Sequence, residues 1–340
     1  MTSPRTRWIG LFVISLAVSL IIVDSTIVNV AVPSIVDKLG ITSTEVQWVQ
    51  ESYTLVFAAL LLVFGTLGDR FGRRRMLVLG IIIFMLASVW AAFADSGSAL
   101  ILARVVQGVG GAMILPSTLS TLNATFQGRE RGIAFAVWGS TIGGMAAVGP
   151  LLGGWLTTAF SWRWAFGINV PLGIIILIGL MLFVPATKAD RPQSIDGVGA
   201  VLSVITSAFL VFGLIEGRTY GWWLAVDGLT LGDWVWPLAL SPVPIAFAIS
   251  LAAGIAFVRW GLRRERAGKS TMLAFSLLRI GSFRNGNIAA LIVSMGEFGI
   301  ILSLPLWLQN VLGYDALQTG TILLALAGGS FLASGAGGSL

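Results

Sequence analysis

Ten predominantly apolar stretches, most of them long enough to cross a bilayer, run along the chain: 8–32, 46–67, 76–94, 98–119, 133–157, 164–184, 197–215, 238–258, 285–309 and 317–337. A helix needs about 20 residues to span the hydrocarbon core, and in lipid only a helix or a closed barrel satisfies its own backbone. The spacing therefore predicts membrane helices. What remains cannot build a water-facing surface: of 340 residues 11% are charged and 56% hydrophobic, against about 25% and 45–50% in soluble domains. The 42 glycines suit helices that approach through small residues. The expected class is all-α, a polytopic transmembrane helical bundle. Arg5 and Arg7 precede the first stretch as in a signal peptide, but the run is too long, contains Asp24 and lacks a small-residue cleavage site. It reads as a retained helix.

Orientation follows from the basic residues of the short loops. On the N-terminal side stand Arg5, Arg7, Arg70, Arg73, Arg74, Arg75, Arg129, Arg131, Lys188 and Arg191, with seven more between Arg259 and Arg284, which makes 17. The other side has Lys38, Arg163 and Arg218, and Arg104 falls inside a span. This asymmetry predicts a cytoplasmic N-terminus. The net charge of +6 is then a consequence of topology, and nucleic acid is not an expected partner. Trp222, Trp223, Trp234 and Trp236, with Tyr220, occupy an outer loop. They suit an interfacial aromatic belt better than a site for a cationic ligand. The basic run from Arg259 to Lys269 reads as a positive-inside anchor, with anionic-lipid recognition as the alternative.

The chain has no cysteine and no histidine. Disulfides, thiolate metal sites and thiol nucleophiles are excluded, no metal or cofactor is expected, and proton chemistry near neutral pH falls to carboxylates. Four ionisable residues lie well within spans: Asp24, Glu51, Arg104 and Glu297. Each costs about 2.5–3.5 kcal/mol at a helix centre on insertion scales, so such groups pair or face a cavity. Desolvation favours the neutral carboxyl, and a cation that competes with its proton makes an exchanger. One proton crossing 100 mV releases about 2.3 kcal/mol, and a tenfold solute gradient costs about 1.4 kcal/mol. The bland alternatives are a structural ion pair of Asp24 with Arg104 and a Glu51 that reaches water near its helix end. Glu297 is flanked by Gly296 and Gly299, which admit a close helix or ligand.

The turn between spans two and three reads Gly65-Thr-Leu-Gly68-Asp69-Arg70-Phe-Gly72-Arg73-Arg74-Arg75. Gly72 permits a sharp backbone, and Asp69 is placed to meet arginines or positive helix ends. This stretch resembles motif A of the major facilitator superfamily, GxLaDRxGRrr. Val23 to Pro33 is similar to the first-helix signature of the fourteen-helix drug:proton antiporters that export multiple drugs and quaternary ammonium compounds. Leu100 to Ala112 resembles motif B, whose arginine, here Arg104, the family associates with proton coupling. Gly149-Pro150-Leu-Leu-Gly153-Gly154 resembles the core of antiporter motif C, although the upstream glycine positions of that motif are here Ala136 and Met145. Trp162 to Pro171 and Gln309 to Tyr314 also resemble this branch, some of whose members have a helix-two acid at the position resembling Glu51.

The resemblance implies a major facilitator fold with 1–184 as an N-terminal six-helix bundle, 185–258 as an inserted two-helix segment, and 259–340 as a cytoplasmic linker with two helices of an incomplete C-terminal bundle. Gly338-Ser339-Leu340 looks like the opening of a second motif A, so the sequence reads as truncated after its tenth helix. The expected function is efflux of lipophilic, cationic compounds in exchange for protons, by alternating access in the cell membrane. Asp24, Glu51, Arg104 and Glu297 are the coupling candidates, and Asp69 with its arginines the cytoplasmic gate. Export of a single metabolite or antibiotic is one alternative. A membrane fragment that cannot complete transport is another. No enzyme is expected, since nothing resembles a nucleophile, a metal site or a nucleotide loop; Gly108 to Gly111 sits in a span and reads as helix packing.

Overall fold

The computed structural model describes residues 4–186, 196–226, 230–231 and 234–314, with Gln318, Ile322, Ala325 and Gly329 beyond. Eight of the helices described are long and apolar enough to cross a membrane. They are α1 (Pro4–Leu39), α2 (Ser43–Phe71), α3 (Arg73–Ala92), α4 (Gly97–Thr125), α5 (Gly128–Ala159), the pair α6 (Trp164–Gly167) and α7 (Asn169–Phe183) taken as one span, α8 (Gly197–Tyr220) and α9 (Pro242–Arg266). A 3₁₀ turn at Phe275–Arg279 leads into α10 (Gly281–Asn310). The expected tenth span, 317–337, lies almost wholly outside the described residues.

Local chemistry sets the helix ends. Thr42 and Glu45 form a capping box at the start of α2, each side chain accepting the other's backbone N–H at 3.2 and 2.9 Å. Ser96, Asp196 and Ser241 cap α4, α8 and α9 in the same way, through one side-chain oxygen each. Gly72 closes α2 and opens α3 at φ +108°, a conformation only glycine adopts without strain. Pro171 has no N–H to offer the Gly167 carbonyl, and α6 gives way to α7 just there.

α1 is the axis of the first bundle. It packs on α5, α7 and α4, while α4 also packs on α2 and α3. Close approach depends on glycine. A Cβ on Gly153 would stand 2.9 Å from Ile27 Cγ1 and 3.0 Å from its carbonyl oxygen, and one on Gly110 2.8 Å from the backbone N of Phe84. The glycines of the motif B and motif C stretches are thus contact surfaces, α4 against α2 and α3, and α5 against α1. Two large apolar cores result among the described residues, with a smaller one of Leu11, Leu122, Phe126 and Ala134. One large core gathers Ile27, Ile35, Leu100, Trp162 and Phe166; the other gathers Ile14, Leu20, Leu77, Phe84 and Leu180.

α8 and α9 pack on one another, and α8 also lies along α2. Three expectations change. α9 runs eight residues past 258, so Arg259, Arg263, Arg264 and Arg266 belong to its last turns and not to a loop. α8 runs past 215 to Tyr220, which brings Glu216 into a membrane helix. The connection between α8 and α9 also contains a two-residue antiparallel pair, Thr230–Leu231 with Trp234–Val235, which satisfies part of that loop's backbone. α10 meets the rest mainly through the 3₁₀ turn, with a lighter contact to α5, and Leu291, Ile292 and Met295 are exposed.

Candidate functional site

Between the two large apolar cores, where α1, α3, α4 and α7 converge, five polar side chains are shut away from solvent: Asp24, Ser88, Arg104, Gln107 and Asn169, each 0–1% exposed. The Arg104 guanidinium forms an ion pair with Asp24 Oδ2. It also donates from Nη1 to Gln107 Oε1 at 2.8 Å and from Nε to the Val49 carbonyl at 3.1 Å. Asp24 Oδ1 accepts from Gln107 Nε2 at 3.0 Å and from Asn169 Nδ2 at 2.7 Å. Ser88 Oγ accepts from both amides, at 2.7 and 3.2 Å, and passes its own proton to the Phe84 carbonyl at 2.8 Å. The Tyr53 ring lies under the guanidinium, 4.2 Å from its centroid.

Each partner has a local reason to be there. Gln107 stands three residues after Arg104, hence on the same face of α4. Asn169 is the first residue of α7, where the helix restarts beside α1. A buried pair is favourable only when its remaining donors and acceptors are met. Here Asp24 receives three donors, and Asn169 Oδ1 and the Tyr53 hydroxyl are left without a partner. Chemically the cluster is a carboxylate whose charge is held by one cation and two amides. Protonating Asp24 would release Arg104.

Glu51 is not part of this cluster. Its Oε1 accepts from Gln47 Nε2 at 3.2 Å, and the same amide donates to Thr219 Oγ1 of α8 at 2.6 Å. Across this contact stands Glu216, 1% exposed, which the sequence reading left beyond its span. Glu297 falls on α10, and its side chain lies outside the described residues.

At the motif A turn, Asp69 pairs with Arg73 one turn on, at 2.9 Å. Gly68 supplies the carbonyl that accepts the Gly72 N–H at 3.0 Å, Gly65 lies against Pro116 of α4, and Arg70 is in the last turn of α2. Arg74 donates to the Met181 carbonyl of α7 at 3.2 Å. Of the motif C residues, Gly149 lies against Thr26 and Gly153 against Ile27, and Pro150 sits within α5 beside them, followed by Gly154. Motif C thus holds α5 against α1 within one turn of Asp24.

A bundle of helices long and apolar enough to cross a membrane, with buried charge at its centre and a glycine-closed turn at its edge, defines a multi-pass membrane protein. The profile of the Major Facilitator Superfamily matches residues 14–340, and the chain belongs to that superfamily. It is 36% identical over 313 residues to the probable actinorhodin transporter of Streptomyces coelicolor, covering 91% of this chain and 51% of that protein. Identity is 35% over 327 residues to a puromycin resistance protein of Streptomyces alboniger (95% and 60% covered). It is 34% over 323 residues to the multidrug efflux pump LfrA of Mycolicibacterium smegmatis (95% and 60%). The chain spans about half to three fifths of the length of these relatives. Among solved structures it is similar in fold to the human organic anion transporter MFSD10, with a TM-score of 0.54 at 13% identity over 96% of this chain and 70% of that one.

Proposed function

We propose that the chain belongs to a proton-coupled efflux transporter of the cell membrane, exporting lipophilic, cationic drugs or antiseptics by alternating access. The observation that carries this reading is the Asp24–Arg104 cluster, a carboxylate buried among four helices whose only cationic partner among the described residues is one arginine. A proton arriving on Asp24 removes the charge that holds Arg104. The guanidinium, already bonded to Gln107 and Val49, then rearranges, and α1 and α4 are free to shift. Substrate and proton need not share one atom for exchange; each has only to favour a different arrangement of the bundle. Names given to relatives, resistance and efflux proteins among them, agree with the direction of transport.

In this reading Asp24 and Glu297 are the substrate or proton carboxylates, Glu51 is auxiliary, Arg104 is the partner of Asp24, and Asp69 with its arginines forms a cytoplasmic gate. The chain divides into the bundle 1–184, the insertion 185–258 and the segment 259–340, and the N-terminus is cytoplasmic. The test is dye efflux driven by an imposed pH gradient. Asp24→Asn should abolish it at matched expression, and unchanged efflux would remove Asp24 from the mechanism. For orientation, cysteines introduced at Ser43 and Thr230 should react with an impermeant thiol reagent from outside, and one at Ser194 should not. The native chain has no cysteine to confuse the result.

Export of a single antibiotic is the second reading, favoured by relatives described as an actinorhodin transporter and a tetracenomycin C resistance and export protein. Challenging the transporter with several chemically unrelated dyes separates the two: a multidrug exporter moves most of them, and a dedicated one moves none or one.

A further inference from the structure

Where α8 lies along α2, two carboxyl groups meet. Glu216 is 1% exposed and lies within hydrogen-bonding reach of Glu51, and the Gln47 amide ties the contact to Thr219. Glu51 Oε2 and both Glu216 oxygens are enclosed without a well-formed hydrogen bond from a donor, and the donor that stands beside Glu216, the Thr219 hydroxyl, is neutral. An ionised carboxylate only accepts. Two of them in contact away from water therefore need a positive charge between them, either a shared proton or a cation.

The other charged groups of the surrounding helices are paired elsewhere, exposed, or at the far helix ends. Arg104 of α4 is held by Asp24 of α1, Gln107 and Val49. On α2 itself, Glu45 caps the helix and Asp69 pairs with Arg73 of α3. Arg74 and Arg75 occupy the first turn of α3, at the end of α2 remote from Glu51. On α8, Arg218 is exposed and Asp196 lies at the opposite end, bound by Trp260 and Arg264 of α9. The remaining charges of α9 lie in its last two turns, by Asp196 and not by Glu216.

Aromatic rings stand beside the pair. Trp48 is one turn before Glu51, and Phe212 and Tyr220 are one turn either side of Glu216. Trp48 and Phe212 have centroids 6.5 Å apart, Phe212 and Tyr220 stack at 6.4 Å, and the Tyr220 hydroxyl oxygen accepts from the Trp48 indole N–H. Paired carboxyls with aromatic faces suit a lipophilic organic cation, which is attracted by both.

The geometry points to an exchange site for a single positive charge between α2 and α8, holding a proton in one state and the cationic group of a lipophilic substrate in the other, with Glu216 supplying half of it. The inference rests on the export reading above and deepens it by naming the carboxyls that hold the substrate and making α8 part of the binding site. The charge balances, because one cation enters as one proton leaves to water.

The experiment measures tetraphenylphosphonium and ethidium binding to the purified transporter in nanodiscs, together with proton release reported by a pH dye. Glu216→Gln should weaken binding of both cations about tenfold or more, the worth of one charged hydrogen bond, and abolish the proton released on binding. Glu216→Asp should restore part of each. A Gln47→Cys/Thr219→Cys cross-link, made with and without Glu216→Gln, reports whether α8 stays on α2. Unchanged affinity and proton release in Glu216→Gln would overturn the proposal, as would loss of affinity together with loss of the cross-link, which marks a purely structural pair. A wild-type protein that exports a neutral drug but binds neither cation would overturn this site and leave the export reading standing. Failure to export anything would remove the export reading itself.

Discussion

Asp24 and Glu51 are both acids in membrane helices of the same bundle, and their surroundings answer the cost of burial in opposite ways. Asp24 has a cation, two amides and a hydroxyl gathered around it from three other helices. Glu51 has one amide and a second acid. The first arrangement is complete in itself and is disturbed by adding a proton. The second is incomplete without a positive charge. A transporter built on both would use the first to sense the proton and the second to hold the cargo. Their separation, with Val49 bonded to Arg104 and Glu51 only two residues further along α2, places a mechanical link between them in one helical turn.

The largest effect expected from breaking this contrast is at Arg104. Arg104→Leu strands Asp24 and should cost about 3–5 kcal/mol, read as a fall in thermal unfolding temperature in detergent. Adding Asp24→Asn to that variant should recover part of the loss, because an uncharged side chain needs no cation; no recovery would mean that the arginine acts through packing alone. Next comes the seam that holds α5 on α1 beside Asp24. Gly153→Ala should destabilise by about 1–3 kcal/mol through overpacking on Ile27. Gly139→Ala on the same helix, where a Cβ meets nothing within 4 Å, should be neutral or slightly stabilising.

The carboxyl pair should respond with the opposite sign from Arg104. Glu216→Gln removes one of two facing acids and gives Glu51 an amide donor, so stability should hold or rise by about 1 kcal/mol. A loss as large as that of Arg104→Leu would mean that the two sites are supported alike, and the comparison would fail. The smallest stability effect is expected at the motif A turn. Asp69 and Arg73 form a partly exposed pair across the Gly72 turn, worth about 0.2–1 kcal/mol. Asp69→Asn should leave the unfolding temperature almost unmoved while slowing efflux, and a proportionate loss of both would argue against a gating role.

Spans, superfamily and buried charges were legible in the amino-acid order because the bilayer imposes a one-dimensional rule: a helix must be apolar for its whole length, and an Asp24 or Arg104 that violates the rule stands out. The Gly72 turn was legible for a similar reason, since a local backbone demand leaves a local mark. Gln107 could have been found from its three-residue spacing to Arg104, which places both on one face. The other partners could not. Ser88 and Asn169 come from helices seated by glycine seams such as Gly110 on Phe84 and Gly173 on Met85, and Glu216 from a helix laid along α2. Nothing local in the sequence records which residues those seams bring face to face. Glu216 was further obscured because α8 continues five residues beyond its hydrophobic stretch, past an acid that only the packed α2 surface makes tolerable. The sequence determined by itself the eight membrane-length helices of the described residues and two of the charges they bury, Asp24 and Arg104. Only the tertiary structure decided that one acid is closed by an arginine and the other left facing a second acid, because that choice depends on helix rotation, which is fixed by packing between segments far apart in the chain.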